Sequence, residues 1–258
     1  MNKKNQLISI NLPTFNGEDT VKQALESVKN QTYKNYEIVV VDHYSQDKTI
    51  DIVKNYTDKI YFDKRRILSS REIGLKKSKG EIIIFLSCDQ VLAPDLLERT
   101  LKLFNKKDVD MIINEEHSYN PKTVIEKLTN IDKKVIHKKR EIKPDKSVLL
   151  PSTFKKELLL KVFKKFNDSL YETITIHDHA IIYYEARKLS DKIGYIEKAV
   201  YHNEPKTVKE LFGHYFNWGR RARAARDVLS KEYRDMFESK LINRLISIDI
   251  FDKDNNKK

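Results

Sequence analysis

The sequence has few of the residues on which several common kinds of functional site depend. Its 258 residues include one cysteine, Cys88, and six glycines. A single cysteine excludes an internal disulfide bond and a multi-cysteine metal site, and it is typical of a reducing compartment. Neither a GxGxxG fingerprint nor a Walker loop is present, which disfavours dinucleotide-dependent oxidoreductases and P-loop enzymes. With so few glycines, a glycine-rich loop that cradles phosphate is not expected.

Long apolar runs are missing as well. No stretch approaches the roughly 18 apolar residues of a membrane-spanning helix. Residues 1–6 lead into a strand-like run without the apolar core of a signal peptide. We therefore expect a protein that is neither exported by a signal peptide nor integral to a membrane, and we predict a cytoplasmic location.

Basic residues are in excess over acidic ones. The formal net charge is +12 at pH 7 and the isoelectric point is about 9.4. This excess suits nucleic acid, anionic lipid or a phosphorylated substrate, and charge alone does not choose among them. The basic residues are scattered, with denser patches at 133–146 and 220–226. Because neither zinc-finger spacing nor an RNA-binding aromatic signature accompanies them, we expect no nucleic-acid partner.

Apolar runs and helix-periodic segments alternate along the first hundred residues. Strands are predicted at 7–12, 37–41, 59–62 and 82–86, and helices at 18–30, 47–56, 69–79 and 94–104. Strands that alternate with helices form a mostly parallel sheet with helices on both faces. The pattern therefore predicts an α/β protein with a Rossmann-like three-layer α/β/α sandwich.

The second half of the chain is less regular. Strands are predicted at 109–113 and 192–201, helices at 153–166 and 174–189, and a surface helix or a mobile insertion at 121–145. Amphipathic helices follow from Thr207, and residues 252–258 have the composition of a disordered end. We predict a catalytic domain over residues 1–205 and a helical C-terminal extension over residues 206–258.

Three aspartates fall at a strand end or a helix start. Asp42 follows the second strand, Asp89 follows the fourth strand, and Asp178 precedes a helix. In open α/β sheets, ligands bind beyond the carboxyl ends of the strands. Carboxylates there suit Mg²⁺ or Mn²⁺, which take their other ligands from substrate phosphates and waters. Each aspartate taken singly is equally well interpreted as a cap or turn residue, so the metal hypothesis depends on their convergence.

Asp178 and three further side chains are candidates for a specific chemical role. Asp178 is a candidate general base, if its carboxylate faces the pocket. His202, which follows a strand, is a candidate metal ligand, and Arg71 is either a phosphate or base contact or an exposed helix-end cation. Cys88 is better interpreted as a small packing residue than as a nucleophile, because no histidine lies near it in sequence.

Four sequence blocks resemble those of a known family. They include Leu-Pro-Thr-Phe-Asn-Gly-Glu and Gly-Glu-Ile-Ile-Ile-Phe-Leu-Ser-Cys-Asp, and they lie at residues 12–18, 25–33, 37–49 and 80–89. In this order they resemble glycosyltransferase family 2, whose members have the GT-A nucleotide-sugar-binding fold. The resemblance covers roughly the first hundred residues and is more specific than any single motif.

The resemblance implies roles for individual residues. Asp89 would hold a divalent cation, Mn²⁺ or Mg²⁺, on the donor diphosphate, with His202 as a further metal or diphosphate contact. Asp178 would stand at the position of the general base. The residues expected to bind substrate are Pro13, Thr14, Asn16, Asp42, His43, Ser45, Arg71, Cys88 and Trp218.

The sequence departs from the family pattern at three places. His43 stands where the family has a second aspartate, which puts the nucleotide preference in doubt. Ser87 and Cys88 occupy the first two positions of the Asp-x-Asp metal motif. His177 replaces the glutamate that usually precedes the base.

The resemblance implies inverting transfer from a nucleoside-diphosphate sugar, with a UDP-sugar favoured, to a glycan or lipid-linked acceptor. A catalytically decayed protein that binds nucleotide or a partner without turnover is the alternative. The arginine-rich helical tail either docks on the inner face of an anionic membrane or packs on the catalytic domain or in a homodimer.

Overall fold

A computed structural model describes residues 5–139, 149–226 and 229–235 of the chain. The strands are β1 (Ile8–Thr14), β2 (Tyr36–Asp42), β3 (Ile60–Phe62), β4 (Ile82–Phe85), β5 (Gln90–Leu92), β6 (Met111–Ser118), β7 (Thr153–Lys155) and β8 (Ile193–His202). The helices are α1 (Val21–Lys29), α2 (Thr49–Val53), α3 (Ile67–Lys77), α4 (Leu96–Lys106), α5 (Val124–Lys139), α6 (Lys156–Phe163), α7 (Asp168–Thr173), α8 (Asp178–Arg187) and α9 (Val208–Arg226). The predictions for residues 140–145 and 236–258 lie outside the described residues.

All eight of these strands belong to one sheet. Their order is β3-β2-β1-β4-β7-β6-β8-β5. The pairs β3–β2, β2–β1, β1–β4 and β6–β8 are parallel, whereas β7 is antiparallel to both its neighbours and β5 is antiparallel to β8. The predicted mostly parallel sheet is confirmed.

The alternation of side chains along β4 shows the three layers. Ile82 and Ile84 lie in one buried apolar cluster, which includes residues of α1 and α4. Ile83 and Phe85 lie in a second cluster, which includes residues of α3, α6 and α8. A strand with helices against both faces reads as an unbroken apolar run, because no side chain meets water. The structure confirms the predicted α/β/α sandwich.

Three local predictions were wrong or incomplete. Residues 153–155, predicted as the start of a helix, form β7, because Thr153 and Phe154 pair with β4 in the sheet interior. The three-residue strand β5 was not predicted, since so short a run has no readable period. Helix α8 begins at Asp178 instead of Ile174, after His177 adopts a left-handed backbone with φ of 66°. The segment left open as a helix or a mobile insertion contains helix α5.

The topology brings six strand ends to one edge of the sheet. Because β7 is antiparallel to both β4 and β6, strands β1, β2, β3, β4, β6 and β8 all run in the same direction. We call the edge where they end the carboxyl edge. Among the described residues, no helix is both long enough and apolar enough to cross a membrane.

A bulge in β8 sets which of its residues reaches the carboxyl edge. Between the pairs Asn114–Ile196 and Glu116–Val200, β6 advances two residues while β8 advances four. Lys198, in this irregular stretch, has φ of 46°. Beyond the bulge, His202 is opposite Ser118 on one side and Gln90 on the other.

Candidate active site

Asp42 is the centre of a hydrogen-bond network at the ends of β1 and β2. Its buried carboxylate accepts hydrogen bonds from the Thr14 hydroxyl at 2.6 Å and from the Ser45 amide and hydroxyl, both at 2.7 Å. The amide of Asn16, whose φ is 46°, donates to the Ser45 hydroxyl at 2.9 Å. The structure thus brings together Thr14, Asn16, Asp42 and Ser45, and half-buried Pro13 precedes them in β1.

Exposed aromatic side chains surround this network. Phe15 follows β1, Tyr44 follows β2, and Phe62 ends β3, and all three are exposed to solvent. The rings of Tyr44 and Phe62 are 5.4 Å apart, and Phe15 contacts the His43 ring edge-on at 5.3 Å. Aromatic faces of this kind stack on nucleobases. Our sequence analysis did not select Phe15, Tyr44 and Phe62, although an aromatic residue at three successive strand ends is a readable signal.

The hydrogen bonding of His43 fixes the roles of its two ring nitrogens. Nδ1 lies 2.7 Å from the carbonyl oxygen of Asp63. A carbonyl oxygen only accepts, so Nδ1 carries the hydrogen and the neutral ring keeps Nε2 as an acceptor. His43 can therefore accept an N–H hydrogen bond, as the aspartate it replaces would.

Asp89 and His202 meet across the junction of β5 and β8. The Nε2 atom of His202 lies 3.6 Å from Oδ2 of Asp89. The Asp89 carbonyl accepts a hydrogen bond from the amide of Asn203 at 2.9 Å, which ties the Asp89 turn to the end of β8. Both side chains remain partly exposed, Asp89 at 39% and His202 at 23%. The predicted metal-binding pair is therefore adjacent and open to a ligand.

This pair suits a divalent cation that takes most of its ligands from elsewhere. A carboxylate and an imidazole are both acceptable donors to Mg²⁺ or Mn²⁺ when phosphate oxygens and waters supply the rest. Among the described residues, no group of three or more His, Cys, Asp or Glu side chains has an arrangement that could hold a metal ion. The residues present thus fit a cation carried largely by the donor diphosphate.

Glu116 is a polar residue of this region that the sequence analysis missed. Its carboxylate accepts a hydrogen bond from Nε2 of Gln90 at 3.2 Å, and Lys133 of α5 lies 3.7 Å away. Gln90 in turn accepts from the amide of Ser87 at 3.0 Å, so it links Glu116 to the Asp89 turn. Burial alone would raise the pKa of Glu116, but the charge of Lys133 lowers it below its ordinary value. The predicted strand ended at 113, which left Glu116 outside the expected carboxyl edge.

Asp178 is held by Arg71, a residue of α3. Nε of Arg71 lies 3.2 Å from Oδ2 of Asp178, and Nη1 donates to the carbonyl oxygens of Asn11 and Leu86 at 2.9 and 3.1 Å. Arg71 is fully buried, so the alternative of an exposed helix-end cation was wrong. Since Leu86 directly follows β4, the guanidinium places Asp178 beside the carboxyl edge. A direct contact between Arg71 and a nucleotide stays a prediction.

The charge state of this pair follows from its surroundings. Burial alone would raise the pKa of Asp178, but the neighbouring His179 and Arg71 lower it below its ordinary value. Burial also lowers the pKa of His179, which leaves Arg71 as the lasting positive charge. Asp178 is consequently ionised at neutral pH, which is the state that a general base requires.

Gly74 allows α3 to deliver Arg71 to this position. A Cβ atom at Gly74 would come within 2.2 Å of Nδ2 of Asn11 in β1. The Asn11 side chain meanwhile donates a hydrogen bond to the Arg71 carbonyl at 2.9 Å. The helix can lie this close to the sheet only with a residue that lacks a side chain.

Cys88 lies beside Asp89, and Trp218 lies near Asp178. Burial, with the nearby charge of Asp89, raises the pKa of the Cys88 thiol to about 11, which favours a protonated packing residue over a nucleophile. The exposed Trp218 of α9 contacts the ring of His177 at 5.6 Å, and His177 directly precedes Asp178. Trp218 therefore lies on the Asp178 side of the site, whereas Cys88 belongs to the Asp89 side.

The chain is similar in sequence to known glycosyltransferases. The family model described as glycosyl transferase family 2 matches residues 9–166, which include all but the first residue of β1 and all of β2 to β7. An uncharacterized glycosyltransferase of Rickettsia typhi is 40% identical over 110 residues, covering 42% of this chain and 35% of that protein. The poly(ribitol-phosphate) beta-N-acetylglucosaminyltransferase TarP of Staphylococcus aureus is 30% identical over 167 residues, covering 61% of this chain and 49% of that protein. The chain thus spans about a third of the first relative and half of the second.

Solved structures share the fold. S. aureus TarS 1-349 in complex with UDP-GlcNAc superposes with a TM-score of 0.59 at 18% identity, covering 80% of this chain and 60% of that one. Glucosyl-3-phosphoglycerate synthase from Mycobacterium tuberculosis, in complex with Mg²⁺ and UDP, gives a TM-score of 0.56 at 14% identity, covering 81% and 75%. At these identities the likeness shows the fold alone.

Proposed function

Because the chain belongs to glycosyl transferase family 2, we propose that it transfers a sugar from a nucleoside-diphosphate sugar to a hydroxyl acceptor, with inversion at the anomeric carbon. The observation that supports the proposal is the placement of three aspartates relative to one sheet. Asp42 ends β2, Asp89 lies beside the end of β8, and Asp178 pairs with Arg71, which binds the carbonyl that follows β4. Each aspartate is held by a different element, so we assign each of them a different part of one site.

The Asp42 side of the site suits the nucleoside. The hydroxyls of Thr14 and Ser45 donate hydrogen bonds to the Asp42 carboxylate and hold it in place. The exposed rings of Phe15 and Tyr44 lie beside this network. The acceptor nitrogen of His43 suits uracil, whose N3 carries a hydrogen, over cytosine, whose N3 does not. The UDP-GlcNAc complex of the structurally similar TarS supports a UDP-sugar as donor.

The Asp89 side of the site suits the diphosphate. Asp89 and His202 would hold a divalent cation, Mg²⁺ or Mn²⁺, and the cation would offset negative charge on the leaving nucleoside diphosphate. The Mg²⁺ and UDP bound to the structurally similar synthase support this assignment. Glu116 accepts a hydrogen bond from Gln90, and Gln90 accepts one from the Ser87 amide. These two hydrogen bonds position the turn that contains Asp89.

Asp178 is proposed as the general base. An acceptor hydroxyl attacks the anomeric carbon while the bond from that carbon to the diphosphate oxygen breaks, and the hydroxyl proton passes to the Asp178 carboxylate. One direct displacement inverts the anomeric configuration. Arg71 keeps the carboxylate ionised and oriented before the acceptor arrives. We expect the acceptor to be a glycan or a lipid-linked sugar.

A second candidate function is nucleotide or partner binding without turnover. Ser87 and Cys88 occupy positions where the family pattern has the first aspartate and the middle residue of the metal motif. The raised pKa of Cys88 also makes its thiolate an unfavourable metal ligand near neutral pH. If the cation is bound too weakly, the protein would keep the donor pocket and lose catalysis.

Thermal unfolding with UDP, GDP, CDP and dTDP sugars, each with and without Mn²⁺, tests the donor site. We expect a UDP-sugar with Mn²⁺ to stabilise the protein most, since a ligand that binds only the folded state raises its stability. An equal response to all four nucleotides would contradict the role given to His43. Stabilisation without any Mn²⁺-dependent donor hydrolysis or transfer would favour the second candidate.

Asp178→Asn tests the base. We expect transfer to fall by about 10²- to 10⁴-fold, the usual contribution of a general base, while donor binding in the thermal assay is kept. The matched control is Asp110→Asn, because Asp110 is also paired, with Lys155 at 2.7 Å, but precedes β6 at the opposite edge. Full activity of Asp178→Asn would refute the assignment.

A further inference from the structure

Helix α9 exposes large apolar side chains along most of its length. It spans 19 residues from Val208 to Arg226. Phe212 is 71% exposed and Phe216 is 63% exposed, and Val208, Tyr215 and Trp218 are exposed as well. A soluble helix normally turns such side chains toward a core. The rings of Phe212 and Phe216 stack on each other, with centroids 6.2 Å apart.

These side chains share one side of the helix. Val208, Phe212 and Tyr215 follow the spacing that places residues on one face, and Phe216 lies beside them. Exposed basic side chains follow in the last turns of the same helix, at Arg220, Arg221 and Arg223. The combination of an aromatic face with a cationic end is typical of helices that lie in a membrane interface.

The helix is attached to the body of the protein at both of its ends. It follows β8 closely, and after it Leu229 and Tyr233 return to the buried cluster that contains α8. The Tyr233 hydroxyl donates to Glu185 of α8 at 3.1 Å. Trp218 contacts His177 beside Asp178. The exposed face therefore belongs to a helix fixed next to the candidate site.

We infer that α9 docks the protein on an anionic membrane surface, with Phe212 and Phe216 in the lipid interface and the arginines against lipid phosphates. The inference goes beyond the proposed function and does not depend on it. Aromatic rings favour the headgroup level, and each Lys or Arg near an anionic leaflet adds about 1 kcal/mol of attraction. The net charge of +12 acts in the same direction.

Charge favours lipid as the partner of this face over a second copy of the chain and over residues 236–258 of the same chain. A second copy of the chain would bring arginines of one α9 toward those of the other, and two copies with a net charge of +12 repel. Residues 236–258 of the same chain contain five basic and four acidic residues, so they offer no net negative charge to the arginines. An anionic bilayer supplies both an apolar layer and phosphate.

Docking in this way would bring the Asp178 side of the site close to the lipid surface. Trp218 links the membrane-facing helix to the start of α8. An acceptor hydroxyl on a lipid-linked sugar is held near the headgroups, so it would meet the site without leaving the membrane. This last step alone rests on the proposed function, for which a surface-bound acceptor would be the one that the geometry serves best.

Flotation of the full chain with vesicles tests the inference. Vesicles of neutral phosphatidylcholine are compared with vesicles that also contain anionic phosphatidylglycerol, each at low and at physiological salt. We expect binding to the anionic vesicles alone, weakened by salt. The double substitution Phe212→Ser with Phe216→Ser, and separately Arg220→Glu with Arg223→Glu, should each weaken binding by about tenfold or more.

Matched controls distinguish binding through α9 from nonspecific binding by any exposed apolar or basic side chain. Leu128→Ser removes an exposed apolar side chain of α5, and Lys161→Glu reverses an exposed charge on α6. Both controls should bind vesicles like the unchanged protein. Since Phe212 and Phe216 are exposed, their replacement should leave the thermal unfolding temperature unchanged, which shows that the variants are folded.

Three outcomes would overturn the inference. Equal binding of the phenylalanine variant and the unchanged protein would exclude α9 as the docking element. Equal binding to neutral and anionic vesicles would exclude the role given to the arginines. A dimer in sedimentation velocity that is lost in the phenylalanine variant, without vesicle binding, would assign the face to a second copy. Because none of these measurements uses a sugar donor, their outcome is independent of the proposed transferase activity.

Discussion

Asp42 and Asp178 are both buried carboxylates near the carboxyl edge, yet different forces hold them. Asp42 accepts hydrogen bonds from uncharged donors on Thr14 and Ser45, which lie on neighbouring strand ends. Asp178 pairs with the buried cation Arg71, which comes from a helix more than a hundred residues away in sequence. The Asp42 region is therefore a local polar network, whereas the Asp178 region depends on one long-range ion pair.

The difference predicts how much stability each region loses when one of its side chains is replaced. A network of neutral hydrogen bonds distributes its stabilisation over several donors, so the loss of one leaves the others in place. A buried ion pair contributes little net stability while intact, but removal of one partner leaves an uncompensated charge in the interior. We expect the same contrast in mutational data.

The largest effect should come from Arg71→Met. The substitution leaves the Asp178 carboxylate buried without its cation, and we expect the free energy of unfolding to fall by about 3 to 5 kcal/mol. Urea denaturation at pH 7 measures the loss. The control is Lys102→Met, which breaks an exposed pair with Glu98 and should cost far less, because solvent screens the two charges. Similar losses in the two variants would remove the contrast between buried and exposed pairs.

An intermediate effect should appear as a pH dependence of Asp178→Asn. A carboxyl group whose folded-state pKa is lowered stabilises the fold above its unfolded pKa, about 3.9 for Asp, and loses that contribution as pH falls through the folded value. The unchanged protein should exceed the variant in stability by about 1 to 3 kcal/mol at pH 6. We expect this difference to be constant down to about pH 5 and to shrink at lower pH.

Guanidinium denaturation of both proteins between pH 6 and pH 3 measures this difference. A stability gap that stays the same over the whole range would show that the Asp178 carboxylate is not stabilised by its charge. The comparison with Asp42 would then lose its physical basis.

The smallest effect should come from Ser45→Ala. The variant removes one hydroxyl donor from Asp42, which keeps hydrogen bonds from the Thr14 hydroxyl and the Ser45 amide. We expect a loss of about 1 kcal/mol in the free energy of unfolding. Thermal unfolding of the protein without nucleotide measures it. A loss as large as that of Arg71→Met would show that the network depends on a single bond.

The same contrast explains what the sequence could predict. Asp42 and Asp89 were selected because apolar strand runs end directly before them, and strand periodicity is local information. The ion pair between Arg71 and Asp178 was not predicted, because it joins two elements whose contact depends on the close approach of α3 to the sheet at Gly74. The family resemblance named both residues but assigned Arg71 to the nucleotide.

Short and irregular elements were the other source of error. The strand β7 and the extension of β6 to Ser118 are stabilised by pairing partners that come from distant parts of the chain. Glu116 was missed for this reason, since its position at the edge depends on pairing with β8. Helix α1, in contrast, was predicted well because its apolar face repeats at the helical period, and α4 was predicted because Pro94 suits the first turn of a helix.

The bulge in β8 sets how far this strand extends toward the proposed metal-binding pair. Where β6 advances two residues, β8 advances four, and His202 therefore lies at the level of Ser118. On its other side His202 lies opposite Gln90, the residue that follows Asp89. If β8 followed β6 without the bulge, Val200 would stand opposite Ser118, and His202 would lie two residues beyond the end of β6. The irregular stretch near Lys198 thus sets the height of the imidazole at the sheet edge, at a distance from the two residues that would hold the cation.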